Sequence, residues 1–351
     1  MVKLPNATGM ALPRFGLLLF LVSTLLTTGC GLFGAHTKVQ VPQLLTPLAD
    51  ANKASLMQEV NRLAAIKSIH GKVDIQFEDT SFASSGIAEK YRQVDGAITL
   101  QRPGQIYLII QFTFVDIAQM ASDGEHFSVA VLKGDDKYRR FVKGTNNAIY
   151  AKLDGDNSAV EAKKVKQKTE KETVSALSNL RPQHLTDALM VRPITADDSL
   201  IYSQSQFFQE EPDNRLQAKK GTRIMRGYYL LEEFSQPTAG EARLLRRFWF
   251  DRVGGIRLAR LQTFDERGFL ITDVSYSNET PFGNTAQVTL PSRIELTRPQ
   301  DQYKLSITYQ DPASVELNKE FRPEAFVLEN KWQLPEVDLD AQRIKKVTAN
   351  H

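Results

Sequence analysis

Alternation of apolar and polar residues with a period of two most constrains this chain. Turn signals interrupt it about every 8–12 residues, the pattern of an antiparallel β body. "GKVDIQF" sets Val73, Ile75 and Phe77 on one face and Lys72, Asp74 and Gln76 on the other. "GAITLQRPG" offers Ile98 and Leu100, then turns at Pro103-Gly104. "IYLIIQFTFV" alternates Leu108, Ile110, Phe112 and Phe114 against Gln111 and Thr113. "EHFSVAVLKGDDKYRRFVKG" reads as two strands around Gly134-Asp135. The pattern resumes at "GYYLLEEF" and runs through "LLRRFWFDRVGGIRLARLQTFDERGFLITDVSYSN". It closes with "YKLSITYQD", where Tyr303, Leu305, Ile307 and Tyr309 alternate with Lys304, Ser306 and Thr308. The alternation predicts roughly 11 or 12 strands.

Two helical stretches interrupt this pattern. Leu56, Val60, Leu63 and Ile66 fall at helical spacing, with Ser55 as the expected cap. An insertion over about 144–225 is helical in composition, with Leu177, Leu180, Leu185, Leu189 and Met190 at its apolar end and Pro182 expected to split it. A large sheet must cover its apolar face by packing on a second sheet, closing, or curling around helices. The predicted fold is mainly β with α: a curved antiparallel sheet, an incomplete barrel of about 11 strands, covered by a helical lid. The lid would present Leu56, Val60, Leu63, Leu185 and Leu189. The hollow would be lined by Leu108, Ile110, Phe112, Phe114, Phe248, Phe250, Ile307 and Tyr309. These side chains either line a cavity for a lipid tail or fill the core themselves.

The front of the chain addresses location. Lys3 and Arg14 precede an apolar run from Phe15 to Leu26, which is short for a membrane span and suits the core of a secretory signal. Thr27, Thr28 and Gly29 lead into Cys30, the only cysteine. This order resembles a bacterial lipobox, with Thr27 where a leucine is usual. It implies an acylated Cys30 as the first mature residue and membrane anchor. No cysteine is then left for disulfides, so the exported body relies on its own core. Residues 1–29 read as the signal, 30–54 as a flexible tether, 55–335 as the folded domain and 336–351 as a tail.

The sequence offers little chemistry. His36, His70, His126, His184 and His351 match no metal-ligand spacing, and there is no phosphate loop or nucleophile elbow. Asp135-Asp136 and Asp197-Asp198 read as turn residues. No enzyme, cofactor or metal is expected. The net charge of +3 loses Lys3 and Arg14 with the signal, which argues against a nucleic-acid partner. The run Lys163, Lys164, Lys166, Lys168 and Lys171, interleaved with Glu161, Glu170 and Glu172, reads as a solvated helix face or a loose contact with anionic lipid.

The order of "GAITLQRPGQIYL", "ASDGEHFSV", the helical stretch, "DERGFL" and "FRPEAF" resembles the outer-membrane lipoprotein carrier and receptor superfamily, LolA/LolB-like proteins. The resemblance spans about residues 56–330. It implies a half-barrel with a helical lid that binds the acyl chain of a lipid or lipoprotein, and a periplasmic carrier protein as a further partner. It also implies an arginine inside the half-barrel that meets the lid, which the sequence leaves unassigned. Gly31 after Cys30, where Asp would favour the inner membrane, points to the outer membrane facing the periplasm. The competing expectation is a structural or assembly lipoprotein that docks a protein partner without a lipid.

Overall fold

The computed structural model describes residues 41–343 apart from 81–88, 91, 135, 137–138, 149, 151–179, 196, 216, 237–239 and 285–287. The unit spanning 44–351 holds the fold. Cys30 and the Lys163–Lys171 run lie outside the described residues.

After β1 (Gln43–Leu44) and helix α1 (Lys53–Ala64), the sheet begins with β2 (Ser68–Asp79). β2 does not become an edge. One side pairs with β4 (Val94–Gln101), and the other with β15 (Tyr303–Tyr309), near the far end of the chain. Both sides extend beyond their main partner: β3 (Glu89–Lys90) continues the β4 side and β16 (Glu316–Leu317) the β15 side. From β4 an antiparallel meander runs through β5 (Gln105–Phe112), β6 (Val115–Ser122), β7 (His126–Val131) and β8 (Arg140–Thr145). From β15 the order runs back through β14 (Val288–Arg298), β13 (Leu270–Phe282), β12 (Arg257–Phe264), β11 (Leu244–Asp251), β10 (Arg223–Ser235) and β9 (Leu200–Pro212). Beyond β8 lies β17 (Glu336–Asp338), the one parallel neighbour among the described residues. No described pairing joins β9 to β8 or β17, so the curved sheet stays open.

Register puts the apolar positions on one face. The pairs Leu231↔Phe248, Phe248↔Leu261, Leu261↔Val274, Val274↔Leu296, Leu296↔Leu305 and Leu305↔Phe77 form one continuous row. Beyond β2, Ile98↔Leu108, Leu108↔Met120 and Met120↔Val129 extend the same face. The apolar faces of α1 and α2 (Pro182–Leu189) join these strands in one core. Each fully buried large apolar side chain there contributes about 1.5–3 kcal/mol.

Several local expectations change. The sheet has more strands than expected. Part of the region read as a helical insertion is β9, a 13-residue edge strand whose side chains are exposed or half-buried. Asn52, rather than Ser55, caps α1; its side chain accepts from Ser55 N at 2.9 Å. Pro182 does not split a helix but sits in the first turn of α2, where its missing N–H is harmless. The expected tail begins with β17, paired to β8, and just before it Leu328 and Leu334 pack on Ala121, Ala130 and Phe141, on the outer side of the sheet.

Candidate functional site

The apolar row changes character two residues further along each strand. On the same face the next positions are Glu233, Arg246, Thr263, Thr272, Arg298 and Tyr303, linked by Glu233↔Arg246, Arg246↔Thr263, Thr263↔Thr272 and Arg298↔Tyr303. Arg298 Nη1 closes the remaining step by donating to Thr272 Oγ1 at 2.8 Å. The concave face therefore has an apolar floor and a polar rim. α2 lies beside that rim, and the space between them is a cleft of about 1040 Å³.

Polar side chains hold the helices at their ends. Arg102, in the β4–β5 turn, donates to Ile66 O at 2.9 Å and Val191 O at 2.7 Å, joining the segments that follow α1 and α2. Asn61 on α1 donates to Ile194 O at 3.1 Å and accepts from Ile194 N at 2.8 Å. Tyr276 donates to Ala188 O in the last turn of α2 at 2.9 Å. Arg246 binds Glu233 through two nitrogens, one at 2.8 Å, and also donates to Arg192 O at 3.1 Å. Arg102 thus bridges the segments that follow the two helices. The "RPG" turn contained the signal, but only the fold shows what its guanidinium reaches.

Burial dominates the electrostatics. It pushes the His184 imidazole well below its ordinary range, assisted by Arg298 and Arg181, while Asp301 acts in the opposite sense. His184 Nδ1 and the Tyr303 hydroxyl share a hydrogen bond at 2.7 Å. Burial also raises Asp187 against the opposing pull of Arg192, Arg298 and Arg246. Tyr202 is pushed up to about 12 by burial and by its hydrogen bond to Glu233. Arg102 and Arg181 are both lowered by burial.

Leu108, Ile110, Phe248, Phe250, Ile307 and Tyr309 are all buried in the core beneath the helices. Leu56, Val60, Leu63 and Leu185 are buried there as well, with Leu189 partly buried against them. Phe112 is half-buried under the Arg92 guanidinium, 4.4 Å from its ring centre. Phe114 does not line the hollow. It is 95% exposed at the β5–β6 turn. Thr113 and Phe114 have φ of 46° and 69°, the two positive angles of a tight two-residue hairpin, so the strand ends before the alternation does. A small apolar pocket of about 40 Å³ remains between Leu63, Leu189, Met190, Tyr276, Leu290 and Tyr309. Ligand pockets are usually about 300 Å³ or more, so no lipid tail fits it as it stands. The pocket shares Arg102 and Met190 with the polar cleft. Sequence reading missed that cleft because its walls come from six strands, one short helix and several turns.

The chain is similar to several solved structures. One is described as a LolA superfamily protein from Nitrosomonas europaea, with 11% identity, a TM-score of 0.40, and coverage of 80% of this chain and 99% of that one. A DUF1329 family protein from Desulfovibrio piger shows 12% identity and a TM-score of 0.37 over 78% of this chain and 95% of that one. A protein from Vibrio parahaemolyticus, described as an outer membrane lipoprotein-sorting protein domain, shows 11% identity and 0.39 over 80% and 97%. Likeness at this level transfers no ligand or partner. No family profile and no curated protein matches the chain.

Proposed function

We propose that this chain is a lipid-anchored envelope protein that binds the acyl chain of a lipid or lipoprotein under its helical lid. The observation that carries the proposal is the way the lid is held. Short helices cover a continuous apolar floor, and side chain to main-chain hydrogen bonds fasten their ends. Such bonds contribute about 1 kcal/mol each, so they can open without unfolding the sheet. A tail entering from the cleft takes the place of Leu185, Leu189 and Met190, and each buried CH₂ contributes about 0.8 kcal/mol. No bond is made or broken. In this reading Cys30 carries the anchor, the protein faces the periplasm from the outer membrane, and a carrier protein delivers the ligand.

A second reading has an observation of its own. The open edge strand β9 exposes Ile201, Phe207 and Phe208, each about two-fifths accessible, which suits a docking protein. Native mass spectrometry of the purified chain, before and after organic extraction, separates the two. A bound acyl species that extraction removes is the expected result. A clean protein mass, with no uptake of offered lipid, discards acyl binding and leaves the docking role.

A further inference from the structure

The cleft beside α2 has an imbalance that acyl binding does not use. Five arginines line it, Arg102, Arg181, Arg192, Arg246 and Arg298, against three carboxylates, Asp187, Glu233 and Asp301. Arg246 is paired with Glu233, Arg298 with Asp301 at 2.7 Å, and Arg192 lies 3.9 Å from Asp187. Among the described residues Arg102 reaches only main-chain carbonyls. Arg181 differs from the others. Among the described residues it has no carboxylate in contact, and its Nη1 is buried without a hydrogen-bond partner.

Its guanidinium is nevertheless held in place. It lies 5.3 Å from the ring centres of both Phe127 and Tyr150, and the Tyr150 hydroxyl is held by Asp340. Aromatic faces fix a cation without neutralising it. A half-buried guanidinium held this way, in a cleft with net positive charge, is suited to an anion brought by a ligand, since forked N–H donors match phosphate oxygens. The adjoining apolar pocket shares Arg102 and Met190 with this cleft.

We infer that the cleft is an anion site in which Arg181 receives a phosphate group, with the attached apolar chain directed toward the core under α2. This deepens the acyl-binding reading and, for the attached chain, rests on it. The shared chemistry is a phosphate ester, either a phospholipid headgroup or a free organic phosphate.

The test uses the full chain in detergent micelles and native mass spectrometry. The probes are phosphatidylglycerol, diacylglycerol with the same tails, and glycerol phosphate. Phosphatidylglycerol should bind about tenfold more tightly than diacylglycerol, the scale of one charge-assisted hydrogen-bonded contact. Arg181→Gln should remove most of that preference and Arg181→Lys should keep part of it, both variants melting as cooperatively as the parent. If glycerol phosphate alone binds, and Arg181→Gln abolishes that binding, the anion site stands for free phosphates and the acyl-binding reading falls. Equal binding of the two lipids overturns the phosphate site while leaving acyl binding intact. A preference unchanged in folded Arg181→Gln overturns the assignment to Arg181, and no binding of any probe overturns both readings.

Discussion

Phe114 shows how far one residue can be read from sequence. The alternation of Leu108, Ile110 and Phe112 is real, and Leu108 and Ile110 are buried where it predicts. It continues on paper into Phe114 because neither Thr113 nor Phe114 has the composition of a turn. Only the pairing Phe112↔Val115 shows that the chain has already reversed. Both turn residues occupy a left-handed conformation that glycine and asparagine adopt more easily. Phe114→Gly should therefore stabilise the protein by about 1 kcal/mol, since the exposed ring contributes little burial. Urea denaturation checks this: the midpoint should rise with an unchanged slope. Leu108→Ala, one strand earlier, should cost about 2–5 kcal/mol through the cavity it leaves.

At the scale of elements, α1 was legible because its apolar spacing and its packing agree. β9 was not. "LIYSQSQFFQEEP" lies on the open edge, with no buried face to impose an apolar alternation, so its side chains read as generic polar sequence. α2 was half legible: its leucines signalled burial, but Pro182 marks its beginning rather than a break. Its retention depends on partners distant in sequence, above all Arg102. Arg102→Gln removes the bonds to Ile66 O and Val191 O and should loosen the lid by about 1–3 kcal/mol. Hydrogen exchange of α2 amides should accelerate by about 10- to 100-fold while β2 and β4 keep their protection. Uniform acceleration across the sheet would show instead that Arg102 supports the whole fold.

For the whole molecule, the order of strands was beyond sequence reading, because β2 joins β15 across almost the entire domain and alternation does not name partners. That same joint brings His184 against Tyr303 and places Arg181, Arg298 and Asp301 near it. The consequence is an acid sensitivity whose sign is fixed. Folding holds His184 neutral, with its pKa depressed below the unfolded value of 6.5. Its contribution is complete above pH 6.5 and is lost as pH falls from there toward the lower folded value. One such group costs about 1.4 kcal/mol per pH unit across this window. Asp187, raised by burial, works in the opposite direction. The loss between pH 7.5 and 5.5 is therefore assigned to His184. Unfolding free energies from urea titrations at those two pH values should differ by about 1.4 kcal/mol in the parent protein. In His184→Gln, which can still hydrogen-bond Tyr303, the difference should largely vanish. If that variant keeps the full acid response, the sensitivity lies elsewhere, and the contact between α2 and β15 is not what acid breaks.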